Sequence, residues 1–222
     1  MRALSDGCQR TRRFLGLLME RYTEAMVQVT LTSLAPREVA VLLVDFQNDF
    51  CHPDVAGGQT PTNTANALAA VRANDFARDA AARGAHVIYS QQILDLTRLT
   101  PRQRRWETPG GLCAAGSWGA ELFVAPIPGS TVVRKYRFDI WQSPEFVDLL
   151  EARGIQGLVI GGVELRCCVL YAVLGAEERG YRYVVPQDLV SGQDNNQSVA
   201  DVRQYLTRVH HAPIAAPSLL QD

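Results

Sequence analysis

The most informative segment of this 222-residue chain is Val159-Ile160-Gly161-Gly162-Val163-Glu164-Leu165-Arg166-Cys167-Cys168-Val169. It predicts an apolar strand that passes through two glycines into a short loop and then into a helix over residues 169–179. Amides at a helix N-terminus carry positive partial charge, so a cysteine placed there is shifted toward its nucleophilic thiolate form. The alternative is that Cys167 and Cys168 are small apolar residues of the core, as most free cysteines are.

On both sides of this stretch, predicted strands alternate with predicted helices. The strands cover residues 39–44, 85–90, 131–133, 157–161 and 181–185, and the helices cover 62–83, 145–153, 169–179 and 199–209. This alternation predicts an α/β fold with a doubly wound, mainly parallel sheet and helices on both faces.

Residues 1–36 differ from the rest of the chain, since Arg10, Arg12 and Arg13 precede a short apolar patch at 14–19. We predict an N-terminal extension over 1–36, mobile or loosely docked, and one folded domain over 37–222. A targeting peptide is disfavoured by the acidic residues of the segment. Translation from Met26 is a further alternative.

Two later segments are predicted to lack regular structure, at 51–61 and 91–112. The second contains a group of arginines at positions 98, 102, 104 and 105. They could meet an anionic substrate, but a solvated basic surface is the more common arrangement for such residues.

The composition argues against several classes of protein. A formal net charge of -1 disfavours a nucleic-acid partner, because phosphate binding needs an excess of Lys and Arg. The apolar runs are all shorter than the roughly 18 residues that span a bilayer, so we expect no membrane partner. The five cysteines lack the spacing of a disulfide framework, which predicts a reducing cytoplasm.

Three predicted strands end in a reactive side chain: Asp45, Lys135 and Cys168. In a doubly wound sheet these strand ends meet at one edge. A carboxylate there can take the thiol proton, and an ammonium group can stabilise the thiolate. Each residue also has an ordinary alternative, because Asp often caps a turn and Lys is usually solvated.

These strand ends lie in three motifs that, in this order, resemble the isochorismatase-like cysteine hydrolase superfamily. The motifs are Asp45-Phe46-Gln47-Asn48-Asp49-Phe50, Lys135-Tyr136-Arg137 and Gly162-Val163-Glu164-Leu165-Arg166-Cys167-Cys168-Val169. The resemblance runs from about residue 39 to residue 215. That superfamily includes N-carbamoylsarcosine and ureidoacrylate amidohydrolases and nicotinamidases, so the resemblance implies a three-layer hydrolase fold without specifying a substrate.

The resemblance also implies roles for the three strand-end residues. Asp45 would be the general base, Lys135 would stabilise the thiolate and orient Asp45, and Cys168 would be the nucleophile. Cys168 matches better than Cys167, because the family's cysteine precedes a valine and lies six residues after the glycine that corresponds to Gly162.

A cis peptide between Val163 and Glu164 is implied as well, with the N–H groups of Glu164 and Cys168 forming an oxyanion hole. The family often has Thr three residues before its cysteine, where this chain has Leu165. Any polar contact from that Thr is therefore missing here.

The sequence also bears on cofactors and on substrate contacts. Nicotinamidases hold a metal through histidines, but residues 54–56 and 90–96 contain none, so we expect neither a metal nor another cofactor. Gln91 and Trp141 are candidate substrate-binding residues from their position alone. His52 is expected to be a loop residue.

The sequence therefore predicts a cysteine amidohydrolase that acts on a small carbamoyl, ureido or amide compound, and family membership implies a homo-oligomer. Two alternatives stay open: an isochorismatase-type hydrolase of a vinyl ether, which would tolerate loss of the thiol, and a non-catalytic binding relative. A redox role for Cys167 and Cys168 is disfavoured because they lack C-x-x-C spacing.

Overall fold

Five strands form one parallel sheet in the computed structural model, which describes residues 31, 33–53, 55, 61–107, 110–191 and 196–210. The sheet order is β3-β2-β1-β4-β5. The strands are β1 Val39–Val44, β2 His86–Gln92, β3 Thr131–Lys135, β4 Gly157–Gly162 and β5 Arg182–Val184. All neighbouring strands pair in parallel, which confirms the predicted fold class.

The helices lie close to the predicted positions. They are α1 Asn48–Cys51, α2 Pro61–Ala82, α3 Pro101–Arg104, α4 Pro144–Ala152, α5 Leu170–Glu178 and α6 Asn196–Val209. The four longer helices were predicted, and their observed ends differ from the predicted ends by at most three residues, as is usual for helix boundaries. The short helices α1 and α3 were not predicted.

The sheet has an apolar core on each face. From β1, Ala40, Leu42 and Val44 join the core beneath α4 and α5, whereas Val41 and Leu43 join the core beneath α2. We call these the α5 face and the α2 face. Because both are covered, β1 is buried along its whole length, which explains why it reads as an uninterrupted apolar run.

The strand order has a switch point between β1 and β4. The chain runs from β1 outward to β2 and β3, and then crosses back to β4 on the other side of β1. Ligands of open α/β sheets bind at the carboxyl ends of strands where the order reverses in this way. The segments that follow β1 and β4 both leave the sheet at that point.

Glycine is required where β4 ends. Gly162 has φ 140°, and a Cβ atom there would collide with the backbone of Val44 on the neighbouring strand. At Gly161 a Cβ atom would lie 2.9 Å from the carbonyl oxygen of Leu189. The two glycines thus allow the close backbone approach that the sequence predicted.

Three segments differ from the prediction or lie partly outside the described residues. Residues Leu165–Val169 form a π-helical turn before α5, so Cys168 lies inside this turn and not in the first turn of a regular α-helix. The predicted irregular segment 91–112 begins with the last two residues of β2 and includes α3. Of the predicted extension 1–36, residues 1–30 and 32 lie outside the described residues, and its boundary stays a prediction.

Candidate active site

The three predicted catalytic side chains lie together at the switch point of the sheet. Lys135 Nζ is 2.6 Å from Asp45 Oδ2 and 3.3 Å from Cys168 Sγ. The side chains of Lys135 and Asp45 are 1% and 0% exposed, and Cys168 as a residue is 4% exposed. Residues from the ends of three different strands therefore form one buried polar cluster.

Asp45 is held in a fixed orientation by the neighbouring strand. Its φ of 52° places it in the left-handed region, which Asp enters more readily than most residues. Ser90 Oγ donates a 2.6 Å hydrogen bond to Oδ1 and accepts one from the backbone N–H of Asp45. Oδ2 makes the ion pair with Lys135 in a geometry outside that of a regular hydrogen bond, so it retains a lone pair for a proton.

The ammonium group of Lys135 contacts five acceptor groups. Besides Asp45 and Cys168, its Nζ contacts Gln92 Oε1 at 3.1 Å and the carbonyl oxygens of Arg137 and Phe138 at 3.1 and 3.2 Å. An ammonium group has three hydrogens, so these five contacts leave none for a substrate.

The charge of Lys135 is stabilised in place. Burial by itself would lower the pKa of Lys135, but the Asp45 carboxylate and the Cys168 thiol outweigh it, and the pKa lies above its ordinary value. Lys135 therefore acts on the site through a fixed positive charge.

The surroundings of Cys168 favour its protonated form, opposite to the shift toward thiolate that a helix N-terminus would produce. Burial raises the pKa of Cys168, and the negative charge of Asp45 raises it further, while Lys135 lowers it by less. The helix N-terminus that motivated the expectation is replaced by the π-helical turn. Deprotonation of Cys168 therefore requires a base.

The cluster can supply that base without creating a net charge. Before proton transfer it holds one carboxylate, one ammonium group and a neutral thiol. After transfer from Cys168 to Asp45 it holds a neutral carboxylic acid, the same ammonium group and a thiolate. Both states contain one charge of each sign, so the transfer avoids the large cost of an unpaired buried charge.

Gln92 was missed by the sequence reasoning, although it touches two members of the cluster. Its Oε1 accepts from Lys135 Nζ and, at 3.4 Å, from Cys168 Sγ. The predicted strand ended at residue 90, whereas β2 continues to Gln92 and pairs it with Lys135. Because side chains alternate along a strand, a longer strand would have placed Gln92 on the same face as Ser90.

Gln91 lies on the opposite face of β2. Its Nε2 donates a 2.8 Å hydrogen bond to the carbonyl oxygen of Ala120. It lines a cleft of about 440 Å³ that includes Arg98, Arg134 and Tyr136 and does not include the three predicted catalytic residues. A substrate contact by Gln91 stays a prediction. Gln92 is better placed for that role, because it lies on the face of β2 that carries the cluster.

Trp141 is a core residue of the α5 face and is 5% exposed. Its indole N–H donates to the carbonyl oxygen of Ala172 at 3.0 Å, and its ring packs edge-on against Phe146. A Cβ atom at Gly175 would collide with this ring. These contacts account for the side chain by packing alone, and a substrate contact by Trp141 stays a prediction.

The cis peptide implied by the resemblance joins Val163 and Glu164. Asn66 Nδ2 lies 3.4 Å from Glu164 Oε1 on the α2 face, and Leu165 is buried in the core of the α5 face. An oxyanion hole formed by the N–H groups of Glu164 and Cys168 stays a prediction.

The loop residue His52 contacts the rings of Trp118 and Phe123, with centroid separations of 4.8 and 5.9 Å. Within the described ranges, no three His, Cys, Asp or Glu side chains are grouped so that they could hold a metal ion. Helices in the described part of the chain are also too short or too polar to cross a membrane.

Comparison with known proteins identifies the family. Residues 39–211 match the isochorismatase domain. The chain belongs to the isochorismatase family. Ureidoacrylate amidohydrolase from Azorhizobium caulinodans is 33% identical over an alignment that covers 62% of this chain and 69% of that protein.

Solved structures of two hydrolases share the fold. N-carbamoylsarcosine amidase from Thermoplasma acidophilum superposes with a TM-score of 0.68 at 23% identity, covering 83% of this chain and 99% of that chain. A cysteine hydrolase from Pseudomonas syringae pv. phaseolicola superposes with a TM-score of 0.71 at 18% identity, covering 83% and 91%. The resemblance on which the sequence analysis relied is therefore confirmed for the isochorismatase family.

Proposed function

We propose that this isochorismatase-family protein is a cysteine amidohydrolase that cleaves the C–N bond of a small carbamoyl, ureido or amide compound. The observation that carries the proposal is the contact of Lys135 Nζ with both Asp45 Oδ2 and Cys168 Sγ. A base, a fixed positive charge and a thiol are the groups that a cysteine nucleophile requires. The similarity to proteins named ureidoacrylate amidohydrolase supports this substrate class.

The first half of the reaction forms a thioester. Asp45 accepts the proton of Cys168, and the charge of Lys135 stabilises the resulting thiolate. Sγ attacks the carbonyl carbon, and the carbonyl oxygen becomes an oxyanion stabilised by the N–H groups of Glu164 and Cys168. Asp45 then returns its proton to the leaving amine as the C–N bond breaks.

The second half hydrolyses the thioester. Asp45, ionised again, takes a proton from a water molecule that attacks the same carbonyl carbon. The C–S bond breaks, the acid product leaves, and the proton on Asp45 passes back to the sulfur of Cys168. Only residues of this chain and water take part, so the proposed cycle needs neither a metal nor another cofactor.

The proposed enzyme is cytoplasmic and homo-oligomeric. The absence of paired spacing among the five cysteines supports a reducing compartment, and the family resemblance supports the oligomer. Its proposed partner is a small-molecule substrate, with no role for nucleic acid or membrane.

The test is release of ammonia or amine from a panel of small amides and ureides. We expect Cys168→Ala to lower the rate by about 10⁴-fold or more, because the covalent step is lost. Cys167→Ala is the matched control, since it removes the adjacent thiol, and it should retain activity. Turnover that survives Cys168→Ala would contradict the proposal and favour hydrolysis without a thiol, as in the vinyl ether alternative.

A further inference from the structure

The main chain of Gln92 is fixed at the end of β2. Its N–H donates to Gln47 Oε1 and its carbonyl oxygen accepts from Gln47 Nε2, both at 2.8 Å. Gln47 is itself fully buried and donates a further hydrogen bond to the carbonyl oxygen of Ala120. The Gln92 side chain therefore starts from a defined position beside the nucleophile.

The contacts of the Gln92 amide also fix its orientation. Oε1 faces two donors, the ammonium group of Lys135 at 3.1 Å and the thiol of Cys168 at 3.4 Å. Rotating the amide by half a turn would direct its NH2 group at the ammonium group, where no acceptor is available. Oε1 must therefore face Lys135, and Nε2 is directed away from it.

Nε2 of Gln92 is a donor with hydrogens to spare. Its contacts with the described residues are made through Oε1 and the main chain, and Nε2 is not among the buried polar atoms that lack a partner. Because Gln92 is half-buried, Nε2 is at least partly accessible to solvent. Lys135, in contrast, has more acceptors than hydrogens.

We propose that Gln92 is a specificity-determining residue, which donates a hydrogen bond from Nε2 to a carbonyl or carboxylate oxygen beside the scissile amide. This inference rests on the proposed function and narrows the substrate to acyl or carbamoyl compounds with a second oxygen acceptor. Oε1 lies 3.4 Å from Cys168 Sγ, and Nε2 belongs to the same amide, so Nε2 is near enough to the sulfur for a substituent of the attacked carbonyl carbon to reach it. An alkyl or cationic substituent at that place gains no hydrogen bond.

Alkylation of Cys168 in the full chain tests this without a known substrate. Iodoacetate and iodoacetamide both form an Sγ–C bond with release of iodide and of the thiol proton, and only iodoacetate places a carboxylate beside the reacting carbon. The ratio of the two rates cancels any change in the thiolate fraction. Labelling of the peptide that contains Cys168 is followed by mass spectrometry.

We expect Gln92→Met to lower the iodoacetate to iodoacetamide ratio by about fivefold or more, because a hydrogen bond to a charged acceptor is about twice as strong as a neutral one. Gln91→Met is the matched comparison, since it removes the same side chain from the opposite face of β2. An unchanged ratio in Gln92→Met would overturn the inference. A fall confined to Gln91→Met would overturn it as well and would favour Gln91 as the contact.

A second measurement uses the wild type and does not depend on the folding of a variant. N-carbamoylglycine should slow the labelling of Cys168 by iodoacetamide at concentrations where n-propylurea, which lacks the carboxylate, has no effect. Equal protection by the two compounds would overturn the inference. Failure of the proposed function looks different: turnover of the amide panel would then survive Cys168→Ala, whatever the alkylation ratio.

Discussion

The carboxyl ends of β2 and β3 present two different faces. On the α5 face, Gln92 and Lys135 are directed at the nucleophile, and Lys135 is almost fully buried. On the α2 face, Gln91 and Arg134 line a solvent-accessible cleft. Chemically similar neighbours thus have unrelated surroundings, because successive side chains of a strand point to opposite faces.

The type of a residue at a strand end therefore does not show by itself whether that residue is functional. The face on which a side chain lies decides its burial, its partners and its electrostatics. Paired substitutions of adjacent residues therefore test whether the two faces differ in stability and function.

The largest contrast is expected between Lys135→Ala and Arg134→Ala. Lys135→Ala leaves the Asp45 carboxylate buried without its ion-pair partner and should lower the free energy of unfolding by about 3 to 5 kcal/mol. Arg134→Ala changes an exposed side chain of the other face and should stay within about 0.5 kcal/mol. Urea denaturation measures both, and comparable losses in the two variants would remove the contrast.

A smaller effect is expected for the pair Ser90→Ala and Tyr89→Phe. Each removes a buried hydroxyl that makes a short hydrogen bond, from Ser90 to Asp45 at 2.6 Å and from Tyr89 to Asn74 at 2.5 Å. Both variants should lose about 1 to 3 kcal/mol of stability, because a buried partner is left unsatisfied.

Only Ser90→Ala should also lower kcat, since Ser90 orients the proposed base whereas Tyr89 lies on the α2 face. Steady-state kinetics with any substrate of the panel provides this readout. A matching fall in kcat for Tyr89→Phe would show that the two faces are not functionally distinct.

The smallest effect concerns pH. Burial is the first cause that raises the pKa of Cys51, Cys113 and Cys168, and nearby carboxylates raise it further. Each thiol therefore ionises in the unfolded chain from about pH 9 but remains protonated in the fold. The contribution of these protonated thiols to the free energy of unfolding is fully present below pH 9. It decreases as the pH rises above 9, by at most about 1.4 kcal/mol per pH unit for each thiol.

Urea denaturation at pH 8 and pH 10 measures this slope. Cys51 lies in the core of the α2 face and Cys168 in that of the α5 face. Cys51→Ala and Cys168→Ala should make the slope shallower by similar amounts, because burial and not catalysis raises the pKa of both thiols. A change for Cys51 alone would mean that Cys168 is ionised in the folded protein.

Much of the fold could be predicted because local patterns are strong here. The apolar run of β1 and the periodicity of α2, α4 and α5 identify buried strands and covered helices without reference to partners. The ends of β2 were predicted less well, since Gln91 and Gln92 lack the apolar character by which strands are recognised. Their place in the strand comes from pairing with Arg134 and Lys135.

The residues of the candidate site likewise fall into those that could be predicted from sequence and those that could not. Asp45, Lys135 and Cys168 could be selected from sequence, because each follows a predicted strand and lies in a motif of the family. Gln92 could not, since its contacts depend on the length of β2. The resting thiol could not be predicted either, because its pKa depends on burial and on the position of the Asp45 charge.

Local pattern and sequence motifs were enough to predict the alternation of strands and helices, the two glycines at the end of β4 and the three reactive residues. The neighbour that faces the thiol, the sharing of the hydrogens of Lys135 and the direction of the pKa shift of Cys168 became known from the folded chain. Hydrogen bonding and electrostatic energy depend on distances between residues far apart in the chain, and folding sets those distances.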